Sequence, residues 1–222
     1  MERHLDQQLE HIRHTLLRMG GLVEQMIDKA IRALVERDEA LIAEVIHQDE
    51  EVDQIEMDID EACLATMARN QPAAVDLRFL VATLKMTNDL ERIGDSAVNI
   101  VESARKLNEE PPLKPYIDIP RMSEMAQGMV RESLDAFCHR NTELAAKVCQ
   151  EDDGIDSIYR QLFRELLTFM IEEPKTVSRA LHLLLIARNL ERIADHATNI
   201  AEEVIYYVEG RDVRHSEAKA FA

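Results

Sequence analysis

Tryptophan is absent from this 222-residue chain, and the other large aromatics are limited to five Phe and four Tyr. A core without them must be filled by aliphatic side chains and by the ten methionines. Glycine and proline occur only six times each, and no period-two apolar alternation bounded by turn residues is found, which argues against a β architecture. The three cysteines, Cys63, Cys138 and Cys149, are odd in number and lack CxxC or zinc-type spacing. They read as reduced core residues rather than disulfide partners or metal ligands. The longest aliphatic stretch, ALHLLLIA from Ala180, is too short to cross a bilayer, and the opening MERHLDQQLEHIRH has no apolar signal-peptide core. The chain therefore reads as soluble and cytoplasmic.

Positive charge is scarce as well. Twenty-six Lys and Arg against forty-three Asp and Glu give a net charge of −17, which opposes binding to nucleic acid and direct insertion into an anionic membrane. Cations, or partners with basic surfaces, are the expected counterparts.

What is abundant is helix-forming residues in helical register. Leu5, Leu9, Ile12, Leu16, Met19, Val23, Met26, Ala30 and Leu34 step by fours and threes, the a/d spacing of a packed helix. Asp38 suits the N-cap of a second helix over Glu39 to Arg69, with Leu41, Val45, Val52, Ile55, Ile59 and Ala62 as its apolar stripe. Pro72 closes that helix and admits a third over Ala73 to Leu107. The segment NEEPPLKPYIDIP, residues 108–120, holds four of the six prolines and reads as a linker. Beyond it the plan repeats: a helix from Arg121, a cap at Asn141, a second helix to Ile171, Pro174, and a third helix to Glu209.

The repeat has a register. At an offset of 103, Met19 meets Met122, Met26 meets Met129, Arg37 meets Arg140, Leu41 meets Leu144 and Ile55 meets Ile158. LERIGDSAVNI from Leu90 reappears as LERIADHATNI from Leu190 at an offset of 100, so about three residues are lost in the connection before the third helix. The expected fold is all-α, a tandem repeat of two three-helix bundles. Residues 1–107 form the first unit, 108–120 the linker, 121–210 the second unit and 211–222 a patternless tail expected to fray.

Each LERI copy places Glu, Asp and Asn at i, i+4 and i+8: Glu91, Asp95 and Asn99, then Glu191, Asp195 and Asn199. Four helical residues advance the azimuth only about 40° beyond a full turn, so each triplet forms a nearly straight row. The second helices add Asp49 and Asp53, matched at offset 103 by Asp152 and Asp156. If second and third helices are antiparallel neighbours, four carboxylates per unit face one another outside the apolar stripe, on the outer surface of each bundle. Such clusters repel unless cations neutralise them. All-oxygen ligand sets suit Mg, Ca, Mn or Fe, with Zn less natural in the absence of Cys or His. The bland alternative is a solvated acidic face, with Arg92 and Arg192 pairing to nearby acids.

The doubled LERI(G/A)D.A.NI, the DxxxD after each capped second helix and NQPAAVDLR from Asn70 resemble the PhoU family of phosphate-uptake regulators over essentially the whole chain. The resemblance implies surface metal clusters, with ligands Asp49, Asp53, Glu91 and Asp95 in the first unit and Asp152, Asp156, Glu191 and Asp195 in the second. Asn99 and Asn199 are candidate supports. Fe, Mn or Mg are the ions implied, with Zn as a further candidate. It also implies a non-enzymatic negative regulator of the phosphate-starvation response. Such a protein links the ATP-binding subunit of the phosphate transporter to a sensor histidine kinase, is expected as a homodimer, and reaches the inner membrane only through protein partners. DLR occurs once; the second unit has Val177, Ser178 and Arg179, so the two sites need not be equivalent. Two other readings stay open: a carboxylate-bridged metal enzyme, such as an oxidase or phosphoesterase, and a metal-free helical scaffold.

Overall fold

The computed structural model describes residues 4–213. It is built from six helices: α1 (His4–Val35), α2 (Glu39–Asn70), α3 (Ala74–Asn108), α4 (Asp118–His139), α5 (Thr142–Glu172) and α6 (Val177–Glu209). One 3₁₀ turn, Pro174–Thr176, leads into α6, and no strand occurs among the described residues. The capping chemistry is that of the sequence: the Asp38 carboxylate accepts from Ala40 N and the Asn141 side chain accepts from Leu144 N. The aligned pair Arg37 and Arg140 both adopt left-handed backbone, φ 59° and 51°, just past α1 and α4, so the repeat register extends to the turn conformation.

Two boundaries differ from expectation. Helix α4 starts at Asp118, not Arg121, because Pro120 sits in the first turn, where a missing N–H costs nothing. The rest of the linker is tied down. Arg37 donates to the carbonyls of Asn108 and Glu110, Arg179 donates to Pro111 O at 3.0 Å, and Lys114 pairs with Asp118 and Glu165. At the other end, Val213 is buried, so the segment expected to fray is packed that far; residues 214–222 lie outside the described residues.

Both halves share one apolar core. Helix α3 packs on α1, α2 and α6; α6 packs on α3, α4 and α5; and α1 meets α4. Helices α3 and α6 run antiparallel down the centre. A Cβ on Gly20 of α1 would stand 2.2 Å from Leu134 Cδ1 of α4, a measure of how closely these two helices approach. At one end Phe79, Phe137 and Tyr207 meet with ring centroids 5.6–6.0 Å apart, and the Arg13 guanidinium lies over the two Phe rings. Cys63 and Cys149 are buried and Cys138 half-buried, and no disulfide joins them. Burial, with help from Asp60, pushes the Cys63 thiol up to about 12, so it stays protonated and inert. No helix among the described residues is long and apolar enough to cross a membrane.

Candidate functional site

The connection Gln71–Ala73 is short, so α2 returns directly as α3 and their polar flanks share one face. Asp49 and Asp53 come from α2, Glu91 and Asp95 from α3. Asp49 is half-buried, and its carboxyl is pushed up to about 6, first by desolvation, then by the charges of Asp53 and Asp95. Glu91 is raised by burial and by Asp95, Glu56 and Asp53, with only Arg92 acting against them. Glu56 behaves likewise, raised by burial, Asp60, Asp53 and Asp95. Asp49 and Glu91 therefore both sense Asp53 and Asp95, and Glu56, itself beside Asp60, joins Glu91.

In the second unit α5 and α6 repeat the arrangement through Pro174–Thr176. Burial raises Glu191, followed by Asp195, Asp156 and Asp152, against Arg188. Burial also raises Asp195, opposed by Arg188 and His196. Here cations enter the cluster directly: Arg188 pairs with Glu191, and Arg160 binds Asp156 at 3.0 Å. Across the repeats Arg188 corresponds to Asn88, Tyr159 to Glu56 and Phe163 to Asp60. The first face is thus richer in acid and the second carries its own counter-charge.

Two expectations need correction. The sequence pattern puts the acidic rows on the outer surface of each bundle, yet Glu191 is only 8% exposed. Helix α6 is packed by α3, α4 and α5, which covers more of its circumference than a single three-helix bundle would. The straight row also fails at its third member. Eight residues accumulate about 80° of drift, which turns Asn199 toward α3, where its amide donates to Asp89 at 3.1 Å. Asn99 likewise lines a groove between α3 and α6 rather than the acidic face.

The donor chemistry fits a hard cation. All eight side chains offer carboxylate oxygens, and Glu191 Oε2 is buried without a hydrogen-bond partner among the described residues. Among the described residues no group of three or more His, Cys, Asp or Glu is drawn together closely enough to enclose an ion. Sequence reasoning missed Glu56, Asp60, Arg160 and Arg188. Glu56 stands one turn beyond Asp53, but comparison of the repeats hides it, since its counterpart is Tyr159.

Fold and faces together define a class: an all-α protein of two homologous three-helix units fused through one core, each with an acidic seam between its second and third helices. The PhoU domain is recognised in both units, over residues 16–104 and 119–204, and the chain belongs to the PhoU family. It is 44% identical over 99% of its length to a phosphate-specific transport system accessory protein PhoU homolog of Pseudomonas putida, covering 88% of that protein. With the Aquifex aeolicus homolog of the same description it shares 46% identity over 97% of both chains. The crystal structure of PhoU from Pseudomonas aeruginosa superposes with a TM-score of 0.91 at 42% identity, covering 94% of this chain and all 100% of that one. The phosphate transport system regulatory protein PhoU from Streptococcus pneumoniae gives 0.88 at 28% identity, over 95% and 99%.

Proposed function

We propose that this chain is a non-enzymatic accessory and regulatory protein of phosphate transport. In this reading it is a cytoplasmic homodimer that holds the starvation response off by bridging the ATP-binding subunit of a phosphate transporter and a sensor histidine kinase. The observation that carries the reading is likeness over nearly the whole chain, both repeats included, to relatives described as phosphate-transport accessory and regulatory proteins.

Cation binding is the second element of the proposal. Asp49, Asp53, Glu91 and Asp95 would hold ions on the first face, and Asp152, Asp156, Glu191 and Asp195 on the second. What supports this is the raised proton affinity of Asp49, Glu91, Glu191 and Asp195, each partly due to a neighbouring acid. A bound Mn, Fe or Mg would cancel that repulsion and supply positive charge to the seam. The chain's own contribution is positional: α2 is held against α3, and α5 against α6, so a partner meets a fixed surface.

The test combines the double substitution Asp95→Ala with Asp195→Ala. Metal content after purification without chelator, and output from a phosphate-starvation reporter in cells, are measured together. Loss of metal together with derepression is expected. Full metal content in the variant would remove the ligand assignment. Normal repression in a strain lacking the protein would remove the regulatory role.

A further inference from the structure

The antiparallel α3 and α6 leave two grooves along their seam that are related by the internal repeat. The first, about 740 Å³, lies between Leu84–Asp89 of α3 and Asn199–Glu203 of α6. The second, about 460 Å³, is lined by Asn99, Glu102, Ser103, Arg105 and Lys106 of α3 and by His182, Leu185 and Asn189 of α6. Both volumes lie in the range of small-ligand clefts. At offset 100 the walls correspond: Asp89 to Asn189, Lys85 to Leu185, Asn199 to Asn99, Glu202 to Glu102 and Glu203 to Ser103.

The first groove satisfies itself. Lys85 Nζ contacts both Glu203 oxygens at 3.0 and 3.1 Å, and Asp89 Oδ1 bonds His196 Nδ1 at 2.8 Å and the Asn199 amide at 3.1 Å. In the second groove both acids of those pairs are gone, replaced by Asn189 and Ser103, and the lining gains Arg105 and Lys106, whose counterparts Ile205 and Tyr206 do not line the first. The formal charge of the lining changes from −2 to +1 with histidine neutral. This happens within a chain of net charge −17.

The donors that remain are lightly committed. Among the described residues Arg105 has only a 3.7 Å pair with Glu39, and Lys106 a 3.2 Å pair with Glu109, both exposed and therefore weak. The Asn189 amide uses one N–H on its own helix, at Leu185 O. His182 Nδ1 is shielded from water and has no hydrogen-bond partner among the described residues. A guanidinium, an ammonium, two amides, a hydroxyl and an imidazole thus line one cleft beside the single carboxylate of Glu102, a set in which donors predominate and which calls for a ligand rich in acceptors.

We propose that this second groove binds a phosphate-class oxyanion, either free inorganic phosphate or the phosphoryl group of a small ester. A planar carboxylate offers fewer acceptor sites than the donors present, whereas a tetrahedral phosphate presents acceptors in all directions. The site is separate from the acidic faces and does not depend on their binding metal.

The experiment is calorimetric titration of the full chain at low ionic strength with inorganic phosphate, ATP, sulfate and chloride in turn. Phosphate or ATP is expected to bind, with affinity falling roughly tenfold in Arg105→Gln/Lys106→Gln. Glu102→Gln, which removes the one acid of the lining, is expected to strengthen binding several-fold. That gain of affinity cannot come from misfolding. Binding of inorganic phosphate identifies the free ion as the ligand, and binding of ATP alone identifies the ester. Silence with both, affinity unchanged in the double variant, or equal response to chloride overturns the proposal.

Discussion

Asp49 reaches so far from α2 toward α3 that its Oδ1 lies 3.2 Å from where a Cβ would stand on Gly94. Val52 Cγ1 and Met26 Cε border the same space at 3.5 and 3.6 Å. The second unit has Ala194 at the matching position. Glycine in a helix interior costs about 1 kcal/mol relative to alanine, so its presence beside an acidic seam is explained by the carboxylate it admits. Gly94→Ala is expected to leave the melting temperature in chelator unchanged or slightly raised, since better helix propensity offsets a displacement of a few tenths of an ångström. The added stabilisation on Mn addition should shrink. Thermal melts with EDTA and with excess Mn check this, and an undiminished Mn effect would show that Asp49 need not approach α3 so closely.

Acid should stabilise the metal-free protein before it denatures it. Asp49 holds its proton up to about 6 in the folded state, above the ordinary carboxylate range, and Glu91, Glu191 and Asp195 are shifted in the same direction. The native state therefore binds more protons than the unfolded chain between about pH 4 and 6, and stability falls as pH rises through that window. Melting temperature in EDTA is expected to be higher at about pH 5 than at about pH 7, with Asp49→Asn flattening the profile. Excess divalent cation at neutral pH should supply the same neutralisation and abolish the difference. A metal-free profile that rises from pH 5 to 7 would contradict the shared sign of these shifts.

How far the fold was legible follows from which faces the helices bury. Apolar stripes set the helix positions, Asp38 and Asn141 marked the caps, and the offset of 103 paired Arg37 with Arg140, which share a left-handed turn. The α3–α6 seam left a weaker mark. Alongside the apolar stripe of Leu90, Ile93, Ala97, Ile100 and Ala104, α3 buries Thr83, Thr87, Ser96 and Ser103. Thr87 and Ser96 satisfy their hydroxyls on carbonyls four residues back, so they enter the interior as small groups that an apolar pattern cannot register. The burial of Glu191 has the same origin: it depends on how three helices surround α6, not on residues near Glu191 in sequence.

Arg188 is the counter-ion of Glu191 in the second seam and should be replaceable by a divalent ion. It pairs with Glu191, whose side chain is 11% exposed. Arg188→Gln removes the charge and leaves a shielded carboxylate facing Asp195, Asp156 and Asp152. A loss of about 1–2 kcal/mol in chelator is expected by urea unfolding, discounted for the half-exposed arginine. Excess Mn should restore most of it. A loss that Mn leaves untouched would mean the arginine acts through packing rather than charge.

The union of the two halves is most directly tested at Lys85 and Glu203. Lys85 on α3 bonds both oxygens of Glu203 on α6 and lies 5.4 Å from the Tyr206 ring, while Glu203 is only 4% exposed. Lys85→Met deprives a buried carboxylate of its cation and is expected to cost about 2–3 kcal/mol, whereas Lys85→Met with Glu203→Leu replaces both charges by apolar bulk and should recover most of that. Because the pair joins helices from different repeats, the single variant should also make unfolding less cooperative, with the halves separating before either melts. Urea titrations followed by helicity and by tyrosine fluorescence would register this as transitions that no longer coincide. Coincident transitions in the single variant, with the loss recovered in the double one, would confine the pair to a local stabilising role and place the cohesion of the halves in their apolar contacts alone.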